Sequence, residues 1–280
     1  MNIANNIVGG KWWKFDFHLH TPASCDYGHC DKAQKNITPE DFLISCMNKE
    51  LDCMAITDHN SFDWILKLKS ALLNLRNDKI EIFREITIFP GVEINTLGNV
   101  HLLGIFDPCM DLEHLRNIMV KIGYDADNQT TTKPLHEVIE IIADNDGIAI
   151  PAHVDSEKGL FKATSDIKRT VYNTQCLLAL EMINPNSHDG LYVDSKLKLA
   201  HVLGSDSHSV ETIADKFTWV KMGKPNIEAL RLALYDGDGA IQRSDELNGC
   251  DNPNDIRSRT YIKNLIVENG RYIGKGYFSP

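Results

Sequence analysis

The sequence predicts an α/β fold in which strands and helices alternate around a closed barrel. Six or seven short, uncharged, β-rich runs alternate with segments of helical spacing over about 220 residues. Uncharged strands of this kind are typical of parallel sheets that are buried on both faces. No GxGxxG motif follows the first strand, which disfavours an open dinucleotide-binding sheet.

The composition is that of a globular protein with one large or two small domains. The chain has 280 residues, of which 42% are hydrophobic and 24% are charged. No apolar run is long enough to span a membrane and no signal-peptide pattern follows Met1, so we expect a cytoplasmic protein. The formal net charge of −10 argues against extended binding of nucleic acid without metal ions. The seven cysteines are scattered without a CxxC pair, which favours reduced thiols.

The first predicted strand leads into a loop rich in residue types that bind metals. It starts at Lys14, carries His18 and ends beside His20, and Asp26 lies in the loop that follows. Alternate residues of a strand share one face, so Asp16, His18 and His20 are predicted to project together. Two histidines with this spacing either bind one ion or form a buried hydrogen-bonded pair, and the pair alone does not decide between them.

The next elements keep the order of strand and helix. Thr38-Pro39-Glu40-Asp41 has the residues of a helix N-terminus, and the helix is predicted to run to about Glu50. A strand over residues 51–57 ends in Asp58-His59-Asn60, and Asn60 or Ser61 is expected to cap the following helix.

Two further strands are predicted to be neighbours. The strand from Ile86 to Asn95 contains Glu93. Gly98-Asn99 suggests a tight turn into a strand over residues 100–106, which contains His101.

The later strands also carry acids and histidines at their ends. The predicted strands are 147–154 with His153, 177–183 with Glu181, one near Val202 that precedes Asp206 and His208, and 217–222. The intervening helices are expected at roughly 111–122, 134–145, 190–200 and 227–235.

The composition of the sequence changes at Gln242, where a polar stretch precedes a predicted hairpin. The hairpin consists of Tyr261–Glu268 and Arg271–Ile273 around Asn269-Gly270. We therefore predict an N-terminal arm over 1–13, a barrel domain over 14–240, and a linker with a hairpin over 241–280 that leads to a further domain.

Nine residues of metal-ligand type are predicted to meet at one end of the barrel. They are His18, His20, Asp26, His59, Glu93, His101, His153, Asp206 and His208. A catalytic zinc takes three protein ligands, so nine are too many for one ion and suit two or three. The mixture of imidazole and carboxylate without cysteine favours Zn, Mn or Fe over Mg or Ca.

The motifs resemble those of the polymerase and histidinol phosphatase (PHP) family. DFHLHTPAS, ITDHN, PAHVD and GSDSH look like its four motifs in order, with GVEI and VHLLGI between them, over roughly residues 14–237. The resemblance implies a distorted (β/α)7 TIM-like barrel with a trinuclear metal site made of the nine residues above. The family often has histidine as the third residue of its first motif, where this chain has Asp26.

A narrower resemblance is to the N-terminal PHP domain of larger proteins that carry a P-loop ATPase of the AAA or SMC type (TrlF-like proteins). It rests on KWWKFDFHLHTPASCDYG, FTWVKMGKPNIEALRLAL and IKNLIVENGRYIGKG. The chain has no GxxxxGK[ST] motif, so the resemblance implies that an ATPase domain would lie beyond Pro280.

The leading hypothesis is metal-dependent hydrolysis of a phosphoester, by a phosphatase, phosphodiesterase or nuclease. Its substrate would be a nucleotide, a DNA end or a small phosphate. Asp206 or Asp58 could accept a proton from water, while Asp16, Asp58 and Glu181 could instead orient ligand imidazoles. Lys158, Lys162, Lys168 and Arg169 could hold phosphate oxygens or form a solvated charged face.

Two alternatives belong to other classes. The chain could be a metal-loaded regulatory or docking module of a larger ATPase with little activity of its own. It could also be an amidohydrolase, although no lysine stands at a strand end to serve as a carboxylated bridge between two ions.

Overall fold

The computed structural model describes residues 10–29, 31–246, 251–255, 265–267 and 276–278 of the chain. The strands are β1 (Lys11–Leu19), β2 (Cys53–Ile56), β3 (Thr87–Asn95), β4 (His101–Ile105), β5 (Tyr124–Asp125), β6 (Thr130–Thr131), β7 (Ile148–Pro151), β8 (Ala179–Glu181), β9 (Ala200–Val202), β10 (Thr218–Met222), β11 (Ile241–Arg243), β12 (Leu265–Val267) and β13 (Gly276–Phe278). The helices are α1 (Lys32–Lys35), α2 (Pro39–Asn48), α3 (Asp63–Asp78), α4 (Leu112–Lys121), α5 (Leu135–Asp144), α6 (Ser165–Tyr172), α7 (Gly190–Ser195) and α8 (Ile227–Asp236).

The fold is a mixed α/β arrangement around a curled seven-stranded sheet. The strand order is β11-β10-β1-β2-β3-β4-β7, and β8 pairs with β9 in a separate two-stranded sheet. Because β8 lies beside β7 and β9 beside β11, the small sheet fills the gap between the two ends of the large one. This arrangement is compatible with a distorted TIM-like barrel.

The prediction of parallel strands is only partly right. β1, β2 and β3 are parallel, as are β8 and β9. β4 runs antiparallel to both β3 and β7, and β10 runs antiparallel to β1 and β11. The physical reason for β4 is the tight connection through Gly98-Asn99, which is too short for a helical crossover and reverses the chain. The prediction that β3 and β4 are neighbouring strands is thereby confirmed.

Apolar packing on both faces of the central strands explains why these strands carry no charge. In β2, Cys53 and Ala55 belong to one apolar cluster, while Met54 and Ile56 belong to another that includes helices α2 and α3. All four residues are buried. A strand covered on both sides must be apolar at every position, since each fully buried aliphatic side chain contributes about 1.5–3 kcal/mol.

The predicted helix starts differ in accuracy. Thr38 caps α2, and its hydroxyl accepts a hydrogen bond from the Asp41 N–H at 3.1 Å, as predicted. The prediction that Asn60 or Ser61 caps α3 is wrong, because that helix starts at Asp63 after Phe62. The Ser61 hydroxyl instead accepts from the Asp63 N–H at 3.2 Å within the preceding turn.

Both predicted edges of the barrel domain move in the structure. β1 starts at Lys11, because residues 11–13 pair with β10. At the other end, Ile241–Arg243 is a strand of the seven-stranded sheet, although the sequence assigned it to the tail. The buried Arg243 guanidinium donates to the carbonyls of Met182 at 2.7 Å and Val202 at 3.3 Å, which ties β11 to the ends of β8 and β9.

The predicted C-terminal hairpin lies largely outside the described residues. Within them, Leu265–Val267 pairs antiparallel with Gly276–Phe278. The expected turn at Asn269-Gly270 and the expected second strand, Arg271–Ile273, are not among the described residues. No described helix is both long and apolar enough to cross a membrane.

Candidate metal centre

Glu93 stands at the centre of a cluster of histidines at the mouth of the barrel. It belongs to β3 and is almost fully buried. Its Oε2 atom lies 3.4 Å from Nε2 of His18 and 3.5 Å from Nε2 of His20. Its Oε1 atom faces the other way, 2.5 Å from Nδ1 of His101 and 3.1 Å from Nε2 of His153. Oε2 also lies 3.0 Å from Nδ1 of His59, so one carboxylate separates three imidazoles from two others.

The first group of ligand atoms comes from His18, His20, Glu93 and Asp206. The Nε2 atoms of His18 and His20 are 3.1 Å apart, and Oδ1 of Asp206 is 3.4 Å from each of them. Ligands bound tetrahedrally to zinc at 2.0–2.1 Å are separated from one another by about 3.4 Å. The spacing of these atoms therefore suits a single ion between them.

The second group consists of Glu93, His101 and His153, whose ligand atoms also lie close enough to share an ion. His101 opens β4, so the expectation that every ligand follows its strand fails here. The β3–β4 hairpin explains the placement, because antiparallel pairing sets His101 opposite Asn95 at the end of β3. The start of one strand thus reaches the same end of the barrel as the finish of its neighbour.

The third group is the most exposed and includes Asp26, His59 and His208. Oδ2 of Asp26 lies 3.3 Å from Nε2 of His59 and 3.2 Å from Nε2 of His208. Nε2 of His208 is buried but makes no hydrogen bond to a described residue, since its proximity to Asp26 lacks hydrogen-bond alignment. Close approach without such alignment is what two ligands of one ion would show. His20 approaches this group as well.

Four of the imidazoles are held from outside through their Nδ1 atoms. The partners are Glu181 Oε2 for His18 at 2.9 Å, Ser24 Oγ for His20 at 2.9 Å, Ser156 Oγ for His153 at 2.8 Å and the Asp206 carbonyl for His208 at 3.1 Å. In each case Nε2 is left facing the cluster. Histidine ligands of metal ions are typically supported in this way, so the donor set fits divalent ions.

The loop after β9 attaches its two ligands to the end of β1 through backbone hydrogen bonds. The Asp206 N–H donates to the His18 carbonyl at 2.8 Å, and the His20 N–H donates to the Ser207 carbonyl at 3.1 Å. Gly204 permits this approach, because a Cβ there would lie 2.5 Å from the His18 nitrogen and 3.0 Å from Glu181 Oε1.

Asp16 and Asp58 do not contact the imidazoles that they were predicted to orient. Asp16 accepts from the backbone N–H groups of Ser205 at 2.9 Å and Ala214 at 3.2 Å, so it faces that loop and not the cluster. The pairing of β1 with β2 shifts register between Asp16 and Leu19, and such irregularities redirect side chains near functional sites. Burial raises the pKa of both Asp16 and Asp58 to about 6.

Glu181 is the one predicted supporting acid that contacts a ligand imidazole. Besides His18, it accepts from the backbone N–H of His153 at 2.9 Å and of Gly204 at 3.2 Å. It therefore joins the ends of β7 and β9 to β1.

The charges within the cluster shift the titration of its members. Burial alone would raise the pKa of Glu93, but the surrounding histidines, His18 first among them, hold it well below its usual range. Burial would also raise the pKa of Asp206, yet His18 and His20 hold it below its usual range. Burial lowers the pKa of His20 to about 4. Burial likewise opposes protonation of His18, but Glu181, Asp206 and Glu93 raise its pKa well above 6.5.

Several non-glycine residues at the mouth adopt the left-handed backbone region. The φ angles are 28° at His153, 50° at Asp206, 53° at Asn60 and 42° at His29. Such conformations cost of order 1–3 kcal/mol each and cluster at functional sites. Four of the eleven non-glycine residues with positive φ in the described part of the chain thus lie where the predicted ligands meet.

The basic residues predicted to contact phosphate lie in the segment after β7. The Lys158 carbonyl accepts from the His101 N–H at 3.0 Å, so this residue borders the second ligand group, with an exposed side chain. Lys162 and Arg169 are also exposed, and Arg169 lies 3.7 Å from Asp166. Lys168 is instead paired with Asp189 at 2.6 Å.

Sequence reasoning missed Ser156 and the supporting role of Ser24. Ser24 follows His20 by four residues and Ser156 follows His153 by three. A hydroxyl about one turn after a ligand histidine was the available signal, although serine is common in loops and the spacing alone is weak.

Comparisons with known proteins show the fold. No protein-family profile and no curated protein matches the chain. Among solved structures, the lesion-specific endonuclease Q from Pyrococcus furiosus is 17% identical with a TM-score of 0.62, covering 83% of this chain and 58% of that one. Endonuclease Q bound to a 27-mer duplex with an abasic lesion gives a TM-score of 0.59 at the same identity and coverage. PsfC from Pseudomonas syringae is 14% identical with a TM-score of 0.52, covering 86% of this chain and 94% of that one.

The chain thus spans 58% of the length of endonuclease Q. At such low identities the likeness extends to the fold alone. The shared fold is consistent with the PHP-like architecture that the motifs of the sequence imply.

Proposed function

We propose that this chain is a metal-dependent hydrolase of phosphoesters whose site holds two or three divalent ions. The observation that carries the proposal is the position of Glu93, whose two oxygens face different sets of imidazoles. A structural site for one ion needs no carboxylate directed at two ligand groups. A pair of ions beside each other is the arrangement that suits displacement at phosphorus.

The ligands we propose are the nine that the sequence predicts: His18, His20, Asp26, His59, Glu93, His101, His153, Asp206 and His208. Bound Mn, Zn or Fe would supply Lewis acidity and neutralise charge on the phosphoryl oxygens. Asp206 suits a ligand better than a proton acceptor, since its lowered pKa makes it a weak base at neutral pH. Asp58 is fully buried beneath the cluster, which favours a positioning role over direct proton transfer.

Arginine does not supply charge at the cluster within the described residues. Five of the six described arginines pair with acids elsewhere, namely Arg76 with Glu85, Arg84 with Asp52, Arg169 with Asp166, Arg231 with Glu228 and Arg243 with Asp245. The negative charge of a phosphate would therefore be balanced by the ions. A phosphodiester carries a single negative charge and so needs less compensating charge than a phosphomonoester, and Lys158 and Lys162 remain the predicted candidates to assist.

The likeness to endonuclease Q supports DNA as the first substrate to test. Metal-free protein should be loaded with Mn, Zn or Fe and incubated with bis(p-nitrophenyl) phosphate, p-nitrophenyl phosphate, nucleotides, DNA ends and a duplex with an abasic site. We expect diester hydrolysis that EDTA abolishes and that the Glu93→Gln variant lacks. A filled metal site without turnover of any phosphoester would contradict the proposal and favour the docking module instead.

The amidohydrolase alternative is weaker because Glu93 stands between the imidazoles where a carboxylated lysine would be needed. Hydrolysis of amides in place of phosphoesters would reverse this ranking. The association with a downstream P-loop ATPase remains a prediction of the sequence resemblance, and the linker role of the tail remains a prediction for the residues after Arg243.

A further inference from the structure

Ser24 occupies a position that connects several parts of the cluster. It is fully buried in the loop after β1. Its hydroxyl oxygen lies 2.9 Å from Nδ1 of His20, 2.8 Å from Oδ1 of Asp58 and 3.1 Å from the backbone nitrogen of His59. One hydroxyl thus touches the side chain of one proposed ligand and the backbone of another.

The hydrogen-bonding capacity of a hydroxyl determines the direction of each of these contacts. The Ser24 hydroxyl donates its single proton to Oδ1 of Asp58, a carboxyl group whose other partners, the N–H and the hydroxyl of Thr21, are donors too. The His59 N–H can only donate, and it takes one Ser24 lone pair. The remaining lone pair must accept from His20, which requires the proton of that imidazole to be on Nδ1. Nε2 of His20 then carries no proton, so its lone pair is directed at the cluster.

We propose that Ser24 is a positioning residue that fixes the tautomer and orientation of His20 and thereby sets the affinity of the cluster for its most buried ion. This inference rests on the metal centre of the proposed function. Asp58 acts through Ser24: the Thr21 hydroxyl binds only its far oxygen, Oδ2, at 2.6 Å, whereas Oδ1, which accepts from Ser24, is also held by the backbone N–H of Thr21 at 2.7 Å, a contact that a side-chain substitution at Thr21 keeps. The carboxylate is thereby fixed, and it holds the hydroxyl in the orientation that His20 requires.

The order of the three groups distinguishes this arrangement from a hydrolytic triad. In a triad the imidazole lies between the carboxylate and the hydroxyl and removes the proton of the nucleophile. Here the hydroxyl lies between the carboxylate of Asp58 and the imidazole of His20. Ser24 has no exposed surface, so it is not a nucleophile for a bound substrate.

Thr21 provides a matched control for a substitution of Ser24. Both hydroxyls are fully buried and both donate to Asp58, but only the Ser24 hydroxyl contacts a ligand imidazole. Ser24→Ala and Thr21→Val each remove one hydrogen bond to the same carboxylate. A loss of stability through Asp58 is therefore common to both variants, whereas a loss of His20 positioning belongs to Ser24→Ala alone.

The test measures Mn and Zn binding to the metal-free 280-residue chain and to both variants by titration calorimetry. We expect Ser24→Ala to weaken the tightest ion by about 10- to 100-fold, the usual loss when a partner of a ligand histidine is removed. We expect Thr21→Val to stay within about threefold of the unmodified chain. Equal losses in the two variants, or no loss in Ser24→Ala, would overturn the proposal.

A second measurement is made on the unmodified chain, so its result does not depend on whether Ser24→Ala folds. Nitrogen-15 spectra of the metal-free chain, labelled at histidine and assigned with His20→Gln, report which nitrogen of His20 carries the proton at pH 7. We expect Nδ1, and a proton on Nε2 would overturn the proposal. Absence of phosphoester hydrolysis would remove the proposed reaction without altering either result, so the two failures are distinguishable.

Discussion

The histidine cluster has an inner side, the ligand group of His18, His20, Glu93 and Asp206, and an outer side, the group of Asp26, His59 and His208. The two sides differ in burial and in the hydrogen bonds that support their imidazoles. On the inner side, His18 and His20 have no exposed surface and Glu93 has 2%, and Asp206 is the one member of that ligand group that is open to solvent, with 42% of its side chain exposed. On the outer side, the side chains of His59 and Asp26 are 22% and 46% exposed. Carboxylates also support the two inner imidazoles at Nδ1. Glu181 contacts His18 directly, and Asp58 contacts His20 indirectly through Ser24.

This difference suggests that the two sides have different roles in metal binding. A ligand set that is buried and held by hydrogen bonds loses little freedom when an ion binds, so the inner side is prepared to retain one. The outer side is open to solvent, and His59 has both ring nitrogens directed at acids of the cluster, Glu93 and Asp26. We therefore expect the inner ion to bind tightly and the outer ion to exchange and to meet the substrate.

The largest effect should follow from removing the carboxylate of Glu93, which the first and second ligand groups share. Glu93→Gln keeps the size of the side chain but removes its charge, so the ions on either side lose a common ligand. We expect phosphoesterase activity to fall by more than about 100-fold, which is the upper end of the loss for a supporting residue, because in the proposed site Glu93 would bind the ions directly. Elemental analysis should show fewer ions per chain, and an unchanged ion count would contradict the shared role.

A smaller effect is expected from Glu181→Gln, which alters the support of His18 without touching a ligand atom. We expect a loss of about 10- to 100-fold in affinity for the inner ion. Glu140→Gln, an exposed position on α5, serves as the control. Equal affinity in the two variants would show that the inner side does not depend on its supporting acid.

The outer side should respond separately to Asp26→Asn. An amide is a weaker ligand than a carboxylate, and this side chain is half exposed, so we expect loss of about one ion per chain while the inner ion is retained. Titration calorimetry should then lose its weakest binding step. Loss of the tightest step instead would contradict the division between the two sides.

The pH dependence of ion binding should be the mildest test of the comparison. In the ion-free chain the pKa of His18 is raised well above 6.5, so at pH 7 His18 carries a proton that an ion must displace. His20, whose pKa is lowered to about 4, is neutral at pH 7 and has no such proton to lose. Affinity for the inner ion should rise with pH through neutrality, by up to about tenfold per unit, with release of about one proton. Calorimetry in buffers of different ionisation enthalpy measures that proton, and its absence would contradict this assignment.

The stability of the ion-free chain should change with pH in the opposite direction to the ion affinity, that is, it should fall as the pH rises. A histidine whose pKa is raised by folding contributes stability that is fully present below its unfolded value of about 6.5. That contribution is lost as the pH rises through the folded value. Thermal unfolding without ions should therefore show the chain losing the stability that His18 contributes as the pH rises, and His18→Gln should flatten the trend.

Much of this arrangement could be predicted from the sequence, because strand periodicity and strand-end residues carry information about position. The uncharged runs identified the strands that are buried on both faces, as β2 shows. The histidines and acids at their ends predicted a common cluster, and the structure brings all nine of them together. His101 joined the set although the reason, its place at the start of an antiparallel strand, was not foreseen.

What the sequence could not supply are contacts between distant segments that no local pattern specifies. Asp16 has the spacing of a ligand neighbour, but a register shift in β1 turns it toward Ser205. Arg243 lies in a stretch whose composition indicates a tail, yet its guanidinium binds carbonyls at the ends of β8 and β9. Such outcomes depend on how the loops pack and not on the period of any one element.

The central claim is that several ions share the carboxylate of Glu93. Anomalous-scattering maps of crystals grown with Mn or Zn, recorded at the absorption edge and combined with elemental analysis, test this claim most directly. We predict two or three peaks around Glu93, with the strongest among His18, His20 and Asp206 and the weakest beside Asp26. A single peak, or none at all, would contradict the account.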